Sequence, residues 1–450
     1  MTREKFVVEG LGGAKTLRGA VAVRGAKNAA LKCLAASVLF EDTLVCTNVP
    51  DIEDVRRMGE LLQVAGAEVT TKDGVVRVSP PDFAQATSGK PNSAEATSGK
   101  PSAWNTSLDQ TIAKRMRASI VMTGPMLARM GEVSFPYPGG CVLGERPIDL
   151  FLAGFTALGA KIVEADDFFT VRAPQGLRGA HIFLPIVSVG ATETLMFAAA
   201  LAHGETILEN VAMEPEIVAE AELLNACGAH IEGAGSPTLR ITGTGGVPLK
   251  ANGAVFSIIP DRLEAGSFLI LAALAAEDVT VTKCEPKHLQ AVTSSLARAG
   301  VSLEIGTDTI RVRASEKPYQ SVSVRTHEYP GFPTDLQAPM AVFLSQCEGD
   351  ATILETIYDG RFRYAEDLRR MDADMTVMNP HQVLIRGPRK LERANLESPD
   401  IRAGLAYLIA AIIAEGTSSV DNAYLIDRGY EHIEDRLSSL GLHIKRESSN

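Results

Sequence analysis

Hydrophobic and polar positions follow two periods along this chain. In Asp51–Val64 and Glu216–Ala226, apolar residues recur at i, i+3, i+4 and i+7. That spacing puts them on one face of an α-helix, so both stretches predict amphipathic helices. Runs such as Thr206-Ile207-Leu208-Glu209-Asn210 and Val279-Thr280-Val281-Thr282 are short and β-branched, and predict strands. A third pattern is an Ala/Leu-rich helix that ends in a short turn, over Ala35–Asp42, Ala198–Glu205, Ala272–Asp278 and Ala410–Thr417. The order is constant: apolar helix, turn, strand, acidic turn, amphipathic helix.

The unit repeats. A helical pattern gives way to a small turn and an apolar strand start at Gly66-Ala67-Glu68-Val69, Gly159-Ala160-Lys161-Ile162, Gly228-Ala229-His230-Ile231, Gly300-Val301-Ser302-Leu303, Asp372-Ala373-Asp374-Met375 and Gly441-Leu442-His443-Ile444. From the second onward the interval is roughly 70 residues, which marks a duplicated unit. Strands alternating with helices place the chain in the α/β class, and six units fit two domains of three, each ~200 residues long. The first interval is longer because Ala86-Thr87-Ser88-Gly89-Lys90-Pro91 returns as Ala96-Thr97-Ser98-Gly99-Lys100-Pro101. Phe83 to Asn105 therefore reads as a flexible, inert surface insertion, which costs a fold little.

Composition narrows the function. At 450 residues the chain exceeds the size of one growing core. With 45% apolar and 22% charged residues it is globular. A net charge of −11 and the lack of a dense Lys/Arg run argue against a nucleic-acid partner. A local arginine cluster would still admit a small anion. MTREKFVVEG has no apolar core of a signal peptide, and Phe268–Ala276 and Leu405–Ala414 are too short to span a bilayer. The expectation is a cytoplasmic protein with no membrane association. Cys33, Cys46, Cys141, Cys227, Cys284 and Cys347 show no paired spacing, and the eight histidines form no HxH or HExxH pattern. Reduced thiols, no metal and no cofactor are expected.

Three groups of residues suggest chemistry. The segment Phe135–Asp149 reads FPYPGGCVLGERPID, with three glycines around Cys141. Glycines let a loop move and let backbone approach a ligand. A thiol there, with Arg146 nearby, could serve as acid, base or nucleophile. A structural turn with an incidental thiol is the equally weighted reading. Arg24–Leu31 looks like a strand that turns at Gly25 and opens a helix beside Lys27, a place that favours an anion. The same architecture returns at Ser188–Thr192 and Asp261–Gly266. Pro333–Gln337, Asp359–Phe362, Asp400–Ala403 and Ile426–Tyr430 each put Asp or Arg at a turn, and singly each reads as a surface charge or a helix cap.

Taken together, GAKNAAL, PGGCxxGxRPxD, SVGAT, PDRxExGxF, FPTDxQ and IDRGYExIED appear in order between Leu17 and Lys445. In this the chain resembles the UDP-N-acetylglucosamine enolpyruvyl transferases that open bacterial peptidoglycan synthesis. The resemblance implies two similar domains, each an inside-out α/β barrel of three repeated strand-helix units. They would be a nucleotide-side domain (1–26 and 260–450) and a catalytic-loop domain (27–259), with crossings near Gly25–Lys27 and Ser257–Pro260. It implies an enzyme that moves the enolpyruvyl group of phosphoenolpyruvate onto the sugar 3-hydroxyl and releases phosphate. By motif position, Cys141 is the proton donor that can also bond phosphoenolpyruvate covalently, and Asp335 is the base for the hydroxyl proton. Lys27 and Arg402 count with these as catalytic. Lys27, Arg117, Arg146 and Arg402 surround phosphoenolpyruvate, with Arg361 and Arg428 near them. Asn28, Arg117, Asp335 and Ile357 lie toward the amino sugar. Arg146, Pro147, Ile148, Asp149, Leu150, Ser188, Val189 and Gly190 take the nucleotide and diphosphate.

Two positions depart from the family pattern. Ile186 stands where a lysine is common near the diphosphate, and Phe151 stands where a polar residue is usual. Both fall on the nucleotide side. They leave open a sister enzyme that uses UMP or another uridine nucleotide. The third reading is a silent paralogue with a binding role, which the joint presence of Cys141, Lys27, Asp335, Arg402 and Arg428 disfavours.

Overall fold

The computed structural model describes residues 4–81, 103–137, 139, 148–165 and 168–448. They fall into two compact units, one drawn from 4–26 and 260–448, the other from 27–139 and 148–259.

In the 27–259 unit, the apolar helices predicted from Ala/Leu-rich runs are the interior. Lys27–Ala36 and Val189–Ala200 are buried along almost their whole length; Thr123–Met130, which no such run announces, joins them and is buried along its first five residues. Sheets lie outside them. One has the order Val255–Ser257, Leu44–Thr47, Val75–Ser79, Glu68–Lys72. Another runs His230–Glu232, Thr238–Thr242, Glu205–Glu209, His181–Phe183, and a third Glu132–Pro136, Phe168–Arg172, Lys161–Ala165. Within the four-stranded sheets a short strand joins in parallel, with Val255 opposite Val45 and His181 opposite Ile207, while the other neighbours are antiparallel.

The 4–26 and 260–448 unit repeats the plan. Arg262–Ala275, Gln337–Leu344 and Ile401–Ile413 are its interior helices, the last buried at every residue. Its sheets have the orders Asn395–Glu397, Thr417–Asp421, Glu4–Glu9, Ile444–Ser448, then Ser302–Ile305, Thr309–Arg313, Ala276–Thr282, Leu17–Ala22, then Val324–Arg325, Gly349–Leu354, Gln382–Gly387, Asp374–Asn379. A helix surrounded by other elements must be apolar on all sides, whereas a sheet with one wet face alternates. Phe6 and Val8 point inward from their strand while Val7 between them is only partly covered. Helices inside and sheets outside make each unit the inside-out α/β arrangement that the family resemblance implies. No described helix is long and apolar enough to cross a membrane.

The repeat that organises the sequence is a helix stop. At Gly66, Gly159, Gly228, Gly300 and Gly441 φ lies between +91° and +113°. The following N–H reaches back to the last turn: Ala67 to Leu62, Ala160 to Phe155, Ala229 to Leu224, Val301 to Leu296 and Leu442 to Leu437. This closure needs a left-handed residue, which glycine adopts without a Cβ penalty. At the fifth repeat Asp372 takes that role at φ 70°, and Ala373 N–H still bonds Leu368 O. One boundary differs from expectation: the turn predicted over Ala272–Asp278 is missing, because the helix ends at Ala275 and the strand begins at Ala276. The insertion read as 83–105 is outside the described residues through 102. Its last three residues belong to the fold, since Asn105 N–H donates to Ala65 O at 2.8 Å.

Candidate active site

In the 260–448 unit, the scattered Asp/Arg turns of the second half converge. Asp335 lies in the short 3-10 turn Thr334–Leu336 that leads into an interior helix. Arg361 Nη2 donates to its Oδ1 at 2.8 Å and Arg402 Nε to its Oδ2 at 3.0 Å. Burial alone would raise the Asp335 carboxyl, but the Arg361 and Arg402 charges outweigh it and hold it well below the usual carboxylate range. Arg402 sits in the first turn of Ile401–Ile413, where the helix dipole disfavours a cation. Asp400 compensates as N-cap, its Oδ1 accepting from the N–H of Arg402 and Ala403. The Arg402 guanidinium is then fixed by the Tyr430 hydroxyl at 3.0 Å. Arg428 is buried in the same unit. Arg361, Arg402 and Arg428 are therefore not the surface charges that each turn suggests when read alone.

A residue that sequence reading missed holds this group together. Glu355 is fully buried, and its carboxylate accepts from Thr334 Oγ1 (2.7 Å), Gln337 Nε2 (2.6 Å), Ile357 N–H (2.7 Å) and Tyr358 N–H (3.1 Å). Thr334 Oγ1 in turn accepts from Arg361 Nη1 at 2.6 Å. Glu355 thus fixes both the Asp335 turn and Ile357. Its only local signal is an acidic residue at the end of an apolar strand, which singles out nothing.

In the 27–259 unit, Lys27 is the first residue of its helix, buried, with Nζ 2.7 Å from Asp54 Oδ2. Asn28 follows, and Arg117 opens the 3-10 helix Arg117–Met122; both are partly open to solvent. Ser188 caps Val189–Ala200, its hydroxyl accepting from Ala191 N–H at 3.3 Å. Ser188, Val189 and Gly190 are partly open, as is Leu150, while Ile148 is buried and Asp149 exposed. Phe151 joins the two expected nucleotide segments from below. Its ring is buried, and a Cβ on Gly190 would meet its Cζ at 3.2 Å. Ile186 is 61% exposed.

Two expectations change. The Asp261 helix start does not offer a free anion site, because Asp261 itself accepts from Leu263 and Glu264 N–H and fills it. The name of nucleotide side for 1–26 and 260–450 also conflicts with the site assignment. The described residues expected to take the nucleotide and diphosphate all lie in the other unit.

Cys141, Arg146 and Pro147 are outside the described residues. Gly139, two positions before Cys141, is described, and a Cβ on it would overlap the Lys114 carbonyl oxygen, so only glycine fits. The other five cysteines are free and buried. Burial pushes the thiols of Cys46 and Cys347 up to about 12 and those of Cys227 and Cys284 up to about 11. Burial also raises the Cys33 thiol well above its ordinary value. Such thiols neither ionise nor meet solvent near neutral pH. Among the described residues no cluster of His, Cys, Asp and Glu could hold a metal ion.

Comparison with known proteins places this arrangement. Residues 11–437 match the family model described as EPSP synthase (3-phosphoshikimate 1-carboxyvinyltransferase). A UDP-N-acetylglucosamine 1-carboxyvinyltransferase from Shewanella halifaxensis is 42% identical, over 99% of this chain and 100% of its own length. One from Koribacter versatilis is 40% identical, over 98% and 96%. In three dimensions the enolpyruvyl transferase NikO from Streptomyces tendae superposes with a TM-score of 0.83 over the whole of both chains, at 22% identity. EPSP synthase from Acinetobacter baumannii gives 0.71 at 17% identity, over 99% of this chain and 100% of its own. With a family model spanning most of its length and relatives above 40% identity end to end, this chain belongs to the enolpyruvyl (1-carboxyvinyl) transferase family of enzymes.

Proposed function

We propose that this enzyme transfers the enolpyruvyl group of phosphoenolpyruvate to the 3-hydroxyl of UDP-N-acetylglucosamine and releases phosphate. The observation that carries this reading is end-to-end identity of 40–42% to relatives named for that acceptor. The reaction would serve peptidoglycan synthesis, and through it cell-wall growth, cell shape and division, in the cytoplasm.

Phosphoenolpyruvate concentrates a phosphate and a carboxylate in a small volume, and Lys27, Arg117, Arg146, Arg361, Arg402 and Arg428 are the cations assigned to it. Cys141 delivers a proton to C3 of the alkene, and the sugar oxygen bonds to C2 as Asp335 takes the hydroxyl proton. Phosphate then leaves with the electrons of its C2–O bond, and C3 loses a proton to restore the double bond. Elimination among the thiols supports Cys141, since the five described cysteines are buried and raised. The Asp335 geometry supports a coupled activation. With two guanidiniums bonded, its carboxylate is a weak base. The anionic groups of phosphoenolpyruvate compete for those same guanidiniums, and each bond they draw away returns basicity to Asp335. Deprotonation of the acceptor is thereby tied to the donor being bound.

A second reading, UMP as acceptor, draws on exposed Ile186, which leaves the diphosphate side without the usual lysine. The deciding experiment is phosphate release from phosphoenolpyruvate by purified enzyme, with UDP-N-acetylglucosamine and UMP offered separately. Release with the first alone supports the proposal. Release with UMP alone moves the assignment to the sister reaction, and release with neither favours a silent paralogue.

A further inference from the structure

One cluster of charge lies buried in the 27–259 unit apart from every residue assigned to the reaction. Lys32, on the Lys27–Ala36 helix, is 7% exposed, and Glu193 on Val189–Ala200 and Glu220 on Pro215–Ala226 are fully buried. Lys32 Nζ stands 3.2 Å from Glu193 Oε1. The carboxylate oxygens of Glu193 and Glu220 have no well-aligned hydrogen-bond partner among the described residues, so Lys32 meets Glu193 as an ion pair. The other titratable groups acting on the cluster are Glu216 and Glu214, on and just before the Glu220 helix; Cys33, beside Lys32, feels the cluster and Cys46 on Leu44–Thr47.

A buried ion pair is a poor source of stability, because desolvation offsets most of the attraction. What such a pair does well is fix register, since a charge left without its partner in the interior is far costlier than a shifted methyl group. The two helices it joins need that. Their sequences, KNAALKCLAA and VGATETLMFAAA, are rich in alanine, whose small side chains interlock weakly. Both also begin with residues assigned to substrate. Lys27 and Asn28 lie just over one turn before Lys32, and Ser188, Val189 and Gly190 lie about one turn before Glu193.

We propose that Lys32 is a positioning residue for enolpyruvyl transfer: paired with Glu193, it sets the register between the helix that begins at Lys27 and Asn28 and the helix capped by Ser188. This rests on the proposed function for what those two helix starts bind. The pair makes the spacing between the phosphoenolpyruvate end and the nucleotide end a property of the interior. It also makes that spacing respond to pH. Burial first, then the neighbouring Glu216 and Glu214, outweigh Lys32 and push the Glu193 carboxyl up to about 7. Glu220 is raised well above the ordinary value by burial and by Glu193, so it resists ionisation. Below about pH 7 Glu193 gains a proton and the ion pair weakens; above it the pair is complete.

The test compares wild type with the uncharged pair Lys32→Met/Glu193→Gln, measuring Tm, kcat, and KM for UDP-N-acetylglucosamine and for phosphoenolpyruvate from pH 5.5 to 8.5. The double variant leaves no unpaired charge, so its Tm stays near that of wild type. Its acceptor KM at pH 8 rises roughly 10- to 100-fold, the scale of a misplacement on the order of 1 Å, with a smaller change in kcat. Wild-type acceptor KM climbs as pH falls through about 7, and the variant loses that inflection. Wild-type KM values with an unchanged pH profile would overturn the proposal. Should the double variant not fold, the wild-type profile decides instead: an acceptor KM that does not climb as pH falls through about 7 overturns the proposal equally. Wild-type turnover tests the acceptor assignment separately. If the wild type uses UMP, the same comparison is read with UMP, and if it turns over neither, with calorimetric affinity for UDP-N-acetylglucosamine.

Discussion

Arg402 and Asp335 are bonded through Nε and Oδ2 at 3.0 Å, although they come from different repeats of their unit. Arg361 completes the bridge from the other carboxylate oxygen. An acid held this way is a stabilising counter-ion first and a base only once its partners are drawn off. Asp335→Asn is expected to lower kcat by roughly 100-fold or more, the usual scale for losing a general base. It also strands part of two buried guanidinium charges, costing on the order of 2 kcal/mol at pH 7. The sign follows from the depressed carboxyl. Its contribution is full above the unfolded value of about 4 and drains away as pH falls below that. The Tm difference between wild type and Asp335→Asn should therefore narrow on going from pH 7 to pH 3, and a constant difference would contradict the ion-pair account.

How much of this was readable beforehand depends on the range of the interaction. The helix stops at Gly66, Gly159, Gly228, Gly300 and Gly441 are local, since left-handed backbone and an N–H reaching back one turn need only neighbouring residues. Fully apolar helices such as Ile401–Ile413 were legible because burial on all sides leaves no polar stripe. Arg402, Asp335 and Lys27 stand out in the sequence as members of family-like strings, but the bond between Asp335 and Arg402 does not. Asp335 meets Arg402 across 67 positions, and no period in the chain encodes that contact. Glu355 and Lys32 were missed for the same reason. Each looks like an ordinary surface charge until tertiary packing buries it.

Glu355 offers a test of that hidden layer. With four donors converging on it, Glu355→Gln keeps the shape but turns one acceptor oxygen into a donor. It faces either Gln337 and Thr334 or the Ile357 and Tyr358 N–H groups with a second donor. A loss of about 2–4 kcal/mol in urea unfolding is expected, since hydrogen bonds to a buried charge are each worth about 1.5–3 kcal/mol. Activity should fall as well, because the Thr334 turn that carries Asp335 loses its anchor. Unchanged stability would mean that Glu355 is a bystander.

Glu220 predicts a stabilising substitution. Its carboxyl is raised by burial and by Glu193, so the folded state holds a proton that the unfolded chain gives up above a pH of about 4.3. Folding is penalised increasingly as pH rises from there toward the folded value. Glu220→Gln removes the titration, and its advantage over wild type should grow by roughly 1 kcal/mol per pH unit across that window. Thermal melts at pH 5 and pH 8 check it: the Tm gain must be larger at pH 8. A gain that shrinks with rising pH would mean that Glu220 is ionised in the fold.

Phe151 and Gly190 predict how the acceptor end is supported. A methyl group at position 190 would lie 3.2 Å from Cζ of the buried Phe151 ring, tighter than ordinary contact, so ring or helix start must shift by a few tenths of an ångström. The strain would fall on the Ser188–Gly190 helix start, which is assigned to the diphosphate. Gly190→Ala is therefore expected to raise the KM for UDP-N-acetylglucosamine by about tenfold, as a small displacement of a binding group does, while the KM for phosphoenolpyruvate stays within about twofold. Phe151→Leu removes the ring edge, so the double variant Phe151→Leu/Gly190→Ala should recover much of the lost affinity. Recovery would show that Phe151 acts on the acceptor from beneath the helix. If the double variant binds no better than Gly190→Ala alone, the glycine is instead required by close approach of the ligand to its backbone.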